Sequence, residues 1–335
     1  MKFEWIDFYS EFATKLLLFK NDRKALIERI NDVYTAINMQ VPKLESGGDI
    51  IDIDPFTIFG LFNKGITNSN RIAIIRSIAN VFGIEAKVPN NFDGIPVLNN
   101  LKATFYAFKE DRKADDIDNI WNVFEAALRL ADNDTEQNRK EFSKWYDLVH
   151  DQRCIRWNIT MGLYWIRPYT YINLDSRNRW YISNVENMPA EFVNSIKKKI
   201  NKVPNATDYL FIKDACIKAL EVGSYEYKNY PELSYSAWIV SEQVNRQKAA
   251  ANGKKLSNAA FLRWFKPLIQ ALRDLGGSGT PAEARAKIVE NEQLSDEEVN
   301  AIRGKNNVNK FENEVAFARS YLVNAGYIDK LSLIH

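Results

Sequence analysis

Apolar residues recur at every third or fourth position along most of this chain, the spacing of helices that turn one face inward. Trp5, Phe8, Phe12 and Leu16 open the pattern, and Leu26, Ile30, Val33 and Ile37 repeat it, which predicts a helical pair. Asp54 places a capping side chain ahead of a first-turn proline, Pro55, so a short helix carrying Phe56, Phe59 and Phe62 is expected to end by Gly65. Further helices are expected at about 69–82, 97–108, 116–131, 135–150, 190–201, 207–221 and 233–247, divided by Pro, Gly, Asn and Asp clusters. Strand-like alternation is scarce and short.

The pattern breaks at 246–257, where Arg246, Lys248, Lys254 and Lys255 stand among alanines with no acid between them; this segment reads as a basic interdomain linker. A second unit follows from Asn258. Phe261, Trp264 or Phe265, Leu268, Leu272 and Leu275 give an amphipathic helix that Gly276 and Gly277 should stop. Thr280-Pro281-Ala282-Glu283 and Ser295-Asp296-Glu297-Glu298 both fit the capping box, in which side chains satisfy the free amides of a helix start. Phe311, Val315, Ala318 and Leu322 define one more helix, and the final YIDKLSLIH reads as a strand. Three helices followed by a strand suggest a winged helix-turn-helix. The chain stops where a wing's second strand would return, which suggests a longer parent protein. The expected fold is therefore mainly α: a multi-helix N-terminal domain at 1–245, the linker, and a small winged-helix domain at 258–335.

Composition narrows the chemistry. An apolar content of 46% over 335 residues describes a globular protein, and a net charge of +2 leaves no global polycation to hold nucleic acid, so any such binding must use local patches. Cys154, Cys216, His150 and His335 are too few soft ligands for a Cys/His zinc cluster. The N-terminus carries acids and aromatics instead of a targeting signal, and no run approaches the roughly 20 apolar residues of a membrane span, so a cytoplasmic protein without membrane contact is expected. Gly60 and Gly65 frame four residues but lead into Ile66-Thr67, and Gly253-Lys254-Lys255 lacks the first glycine and the hydroxyl of a phosphate-binding loop. No nucleotide-driven motor and no cofactor is expected here. Glu85-Ala86-Lys87 with Asp52 or Asp54 fits a nuclease motif only at a length that chance supplies, so no catalytic residue is assigned.

One stretch concentrates binding chemistry. Residues 157–181 hold Trp165, Tyr169, Tyr171 and Trp180 together with Arg167, Arg177 and Arg179, with Arg156 just upstream and Asp175 as the one acid. Guanidinium groups fork onto phosphate or guanine, flat rings stack on exposed bases, and a lone carboxylate can accept from an exocyclic amine. A modified base swung out of the duplex would need this combination. Two plainer readings compete: Met161, Leu163, Tyr164 and Ile166 look like core, and Asp175-Ser176 can simply cap a helix. Asn63 and Lys64, in the turn before Gly65, are a second candidate phosphate contact. In the last unit, ten basic residues balance ten acidic ones, yet Lys305, Asn307 and Lys310 gather cations and amides near its third helix.

FEWIDFYSEFATKLL at 3–17, IDPFTIFGLFNKGITNSNR at 53–71, FDGIPVLNNLKATFYAF at 92–108, DDIDNIWNVFEAAL at 115–128 and WNITMGLYWIRPYTYINLDSRNRWYI at 157–182 resemble segments ahead of the motor in McrB-like subunits of modification-dependent restriction systems. FLRWFKPLIQALRDLGG to FARSYLVNAGYID resembles the winged-helix domain at the N-terminus of Mrr-type restriction proteins. The resemblance implies a module that reads double-stranded DNA, often modified, while a partner AAA+ motor and nuclease subunit cut it. Two alternatives from other classes stand beside it. One is a DNA glycosylase of the helix-hairpin-helix type, with Asp175 as its catalytic carboxylate; the other is a protein-interaction scaffold.

Overall fold

The first apolar stripe becomes α1 (Trp5–Leu17), which buries Trp5, Phe8, Tyr9, Phe12 and Leu16, and the second becomes α2 (Arg23–Ala36). The structure is a computed structural model, and the residues it describes are 3–46, 49–99, 104–223, 225, 227–251, 260–303, 308–324 and 327–328. It is mainly helical and divides into two compact units, Met1–Gln243 and Val244–His335.

Asp54 caps α3 (Pro55–Gly60) as the Asp-Pro pair predicts, accepting from the amides of Phe56 and Thr57. Helix α4 (Asn68–Phe82) packs against α2, and α5 (Asp116–Asp132) runs along α6 (Glu136–His150). Next come α7 (Asn158–Ile166), α8 (Ser176–Ile182), α9 (Ala190–Ile196), α10 (Ala206–Val222) and α11 (Tyr230–Ala251). Every residue of α7 from Ile159 to Ile166 is buried, and α1, α3 and α5 pack on it. A helix apolar all round shows no period, which is why its sequence predicts core but no element. Gly162 lets α3 approach: a Cβ there would lie 2.6 Å from Phe56 Cδ1.

The helix expected at 97–108 does not form among the described residues 97–99 and 104–108. Its backbone is used in tertiary bonds instead. The Leu98 amide donates to the Asn63 carbonyl at 2.8 Å, and the Phe105 amide donates to Thr57 Oγ1 at 2.8 Å. The expected linker at 246–257 is also altered, since α11 continues to Ala251 through the helix-favouring alanines; 252–257 lie outside the described residues.

The second unit closes its own core around Trp264, Leu268, Leu272, Ile288, Phe311, Val315 and Leu322. A 3₁₀ turn (Ala260–Trp264) leads into α12 (Phe265–Asp274), where the Gly277 amide bonds back to the Leu272 carbonyl at 2.9 Å with both terminal glycines at positive φ. Both capping boxes form, at Thr280 with Glu283 ahead of α13 (Pro281–Glu292) and at Ser295 with Glu298 ahead of α14 (Asp296–Val299). The approach to α15 (Lys310–Asn324) is a short antiparallel pair, β1 (Ile302–Arg303) with β2 (Val308–Asn309). Of the expected terminal strand, only Tyr327 and the buried Ile328 are described.

Candidate nucleic-acid interface

In the first unit, α8, α11, the start of α4 and the 90–97 loop surround a cleft of about 950 Å³. A run of hydrogen bonds holds its wall together. Asp175 caps α8 by accepting from the Asn178 amide (2.8 Å) and from Asn178 Nδ2 (3.1 Å). Asn178 Nδ2 also donates to Ser234 Oγ of α11 (3.2 Å), which donates to the Gly94 carbonyl (3.0 Å). Three segments distant in sequence are fixed to one another by this relay.

Asp175, Arg177 and Arg179 all line the cleft, together with Trp157 and Trp238. Arg177 is paired with Glu242 at 2.6 Å. The guanidinium of Arg179 lies 3.7 Å from the centre of the Trp157 ring and donates to the Leu174 carbonyl at 2.8 Å, and burial draws its pKa down. Asp175 acts on it only from a distance; no ion pair to Arg179 occurs among the described residues. Arg179 is therefore held by a ring and a carbonyl, with its charge not neutralised by a paired carboxylate among the described residues.

A second cleft of about 700 Å³ shares Ser176 and Arg179 with the first and adds Trp180, Asn184, Asn194 and Lys197. The Trp180 side chain is 41% exposed there. Tyr169 is exposed too, but its electrical neighbours are Glu232 and Asp7, and it lines neither cleft. Arg156 is exposed at positive φ and is likewise outside both linings.

Other expected contacts are spent inside the fold. Trp165 is fully buried, donating from Nε1 to the Pro96 carbonyl and packing on Phe59 and Phe105, so it stacks on no base. Tyr171 is equally buried, with its hydroxyl on the Ala127 carbonyl and its ring on Phe142. Arg167 ties the end of α7 to α1 through the Ser10 carbonyl and Thr14 Oγ1, with Asp132 nearby. Asn63 is buried and accepts from the Tyr9 hydroxyl at 2.8 Å, which removes it from any phosphate clamp; Lys64 is half-buried. Lys310 is exposed at the start of α15, whereas Lys305 and Asn307 lie outside the described residues.

Arg71 and Phe92, both on the cleft wall, were not foreseen. Their signal was available in part: Arg71 stands on the same stripe as Ile74, Ile75 and Ile78, where an apolar residue would be the ordinary choice. Trp157 opens the aromatic stretch at 157–181 without being singled out there, and Asn68, Asn90 and Asn91 carried no local mark.

A family model for a domain of unknown function, DUF8425, matches residues 5–240. The chain belongs to that family. Residues 261–332 match the Mrr N-terminal domain, in line with the resemblance of the second unit. Comparison with curated proteins and with solved structures gave no match. The DUF8425 assignment brings no activity with it, so the cleft is read from its own chemistry. Among the described residues, no group of three or more His, Cys, Asp or Glu is arranged to hold a metal ion, and no helix is long and apolar enough to cross a membrane.

Proposed function

We propose that the chain is a DNA-binding specificity module of a restriction system, in which the cleft of the DUF8425 region takes a nucleotide of double-stranded DNA, modified or plain. The observation that carries this reading is the Arg179–Trp157 stack beside Arg177 and Asp175 in one cleft. Its volume falls in the roughly 300–1,000 Å³ range of ligand sites, enough for an extruded nucleotide. The guanidinium supplies charge to the backbone, the Trp157 and Trp238 rings offer apolar contact, and Asp175 offers an acceptor for a base amine. The match to the Mrr N-terminal domain at 261–332 supports the restriction setting. The AAA+ motor and the nuclease are assigned to partner chains, and the McrB-like resemblance of residues 1–245 supports that division.

The test is a binding panel of methylated, hydroxymethylated and plain duplexes at fixed salt. Arg179→Ala should weaken binding by about tenfold or more while the far-ultraviolet dichroism and Tm stay close to wild type. Wild-type affinity in a folded Arg179→Ala variant would remove the cleft from the account.

A further inference from the structure

Helix α4 begins at Asn68 on the rim of the cleft, where the first amides of a helix have no acceptor within it. Thr67 caps only the Asn70 amide, at 3.3 Å. One residue further on, Arg71 lines the same cleft and is 5% exposed. Its guanidinium lies 4.9 Å from the centre of the Phe92 ring, and Nη2 reaches the Lys64 carbonyl at 3.4 Å. Nε is buried with no acceptor among the described residues. Burial lowers the pKa of Arg71.

The carboxylates that line the cleft are Asp93 and Asp175, and neither is paired with Arg71 among the described residues. Asp93 accepts from Asn91 Nδ2 at 2.9 Å, and Asp175 accepts from Asn178. Among the described residues no carboxylate forms an ion pair with Arg71. A guanidinium stripped of water and given no anion is costly to bury, and the protein keeps it at a helix start that also favours negative charge.

We propose that Arg71 and the first turn of α4 form a phosphate-binding subsite of the cleft, for the phosphate of a polynucleotide strand or of a free nucleotide. The proposal rests on reading the cleft as a nucleic-acid interface, and it assigns the phosphate to this end while the base lies toward Trp157 and Arg179. Helix amides and a forked guanidinium together match the geometry of a phosphate group.

The experiment uses the full chain and three probes: a short single-stranded oligodeoxynucleotide, a nucleoside 5′-monophosphate and the matching nucleoside. Asn68→Asp is the principal variant, because it changes an exposed residue at a helix start where an acid favours folding. Arg71→Gln and Arg71→Lys accompany it. Asn68→Asp and Arg71→Gln should each weaken oligonucleotide binding by about tenfold, and Arg71→Gln should lower the salt slope by about 0.7, the value of one single-strand phosphate contact. Arg71→Lys should recover part of the affinity, and nucleoside binding should not change. A parallel loss with the monophosphate identifies a terminal or free phosphate, whereas a loss confined to the oligonucleotide identifies a strand phosphate.

Unchanged affinity and salt slope in Asn68→Asp and in a folded Arg71→Gln would overturn the subsite. If Arg179→Ala still weakened DNA binding in that case, the cleft reading would survive alone. If Arg179→Ala were neutral while Asn68→Asp weakened the monophosphate, the subsite would stand and the wider reading would fail. Absence of binding by both phosphate-bearing probes would overturn the subsite, and absence of binding by every duplex of the panel would overturn the wider reading.

Discussion

Helices α7 and α8 come from one aromatic-rich stretch of sequence, yet α7 reaches a cleft only through Asn158 and Met161 in its first half and is otherwise core, while α8 edges two clefts. In α7, the eight residues from Ile159 to Ile166 are all buried, the Thr160 hydroxyl is bonded inside the fold, and Trp165 is enclosed by Phe59 and Phe105. In α8, Asn178, Tyr181 and Ile182 face inward while Ser176, Arg177, Arg179 and Trp180 stay on the cleft side. The difference teaches that aromatic and arginine density alone does not mark a binding surface. What separates the two helices is the spacing of polar residues between the rings.

The sharpest way to break this contrast is a pair of tryptophan truncations read by chemical denaturation. Trp165→Ala should cost about 3–5 kcal/mol, because it opens a cavity among packed rings. Trp180→Ala, at a partly exposed site, should cost about 1 kcal/mol or less. Equal losses would remove the distinction between the core helix and the cleft helix.

A smaller effect is expected at the closest approach of α3 and α7. Gly162→Ala should destabilise by about 1–3 kcal/mol, since the added carbon meets the enclosed Phe56 ring and neither helix has free space to retreat. A neutral result in thermal unfolding would mean that α3 yields easily and that α7 is less firmly held than its burial implies.

The smallest effect concerns the acid that caps α3. Burial pushes the Asp54 carboxyl up to about 6 from its ordinary value of 3.8, against the lowering influence of its bonds from Thr57 and Phe56. A carboxyl whose pKa is raised by folding favours the native state below its unfolded value, and that contribution is lost as pH climbs through the folded value. Between pH 5 and pH 7 the wild type should therefore lose roughly 1 kcal/mol more stability than Asp54→Asn. Identical pH profiles for the two proteins would contradict the burial of this group.

Much of the fold was legible because its determinants are local. The stripes of α1, α2 and α5, the Asp-Pro start of α3, the Asp175 cap and both capping boxes each depend on residues within a few positions of one another. The missing helix at 97–108 failed because distant partners, Asn63 and Thr57, take its amides, and nothing in its own residues records that. The site was legible only at α8. Its other walls come from α4, the 90–97 loop, Trp157 and α11, which meet through the bonds linking Asn178, Ser234 and Gly94. Trp165 misled because a ring in the apolar run Leu163–Ile166 gives no local sign of which side it faces, and Tyr171 because the partners that enclose it, Phe142 and the Ala127 carbonyl, are distant in sequence.

The separate apolar centres of the two units bear on how such proteins diversify. Because the residues around Trp264 and Phe311 satisfy one another, and the N-terminal rings do the same among themselves, recombination near residue 250 would leave both interiors whole. A lineage could thus exchange its C-terminal module for another without rebuilding the part that carries the cleft.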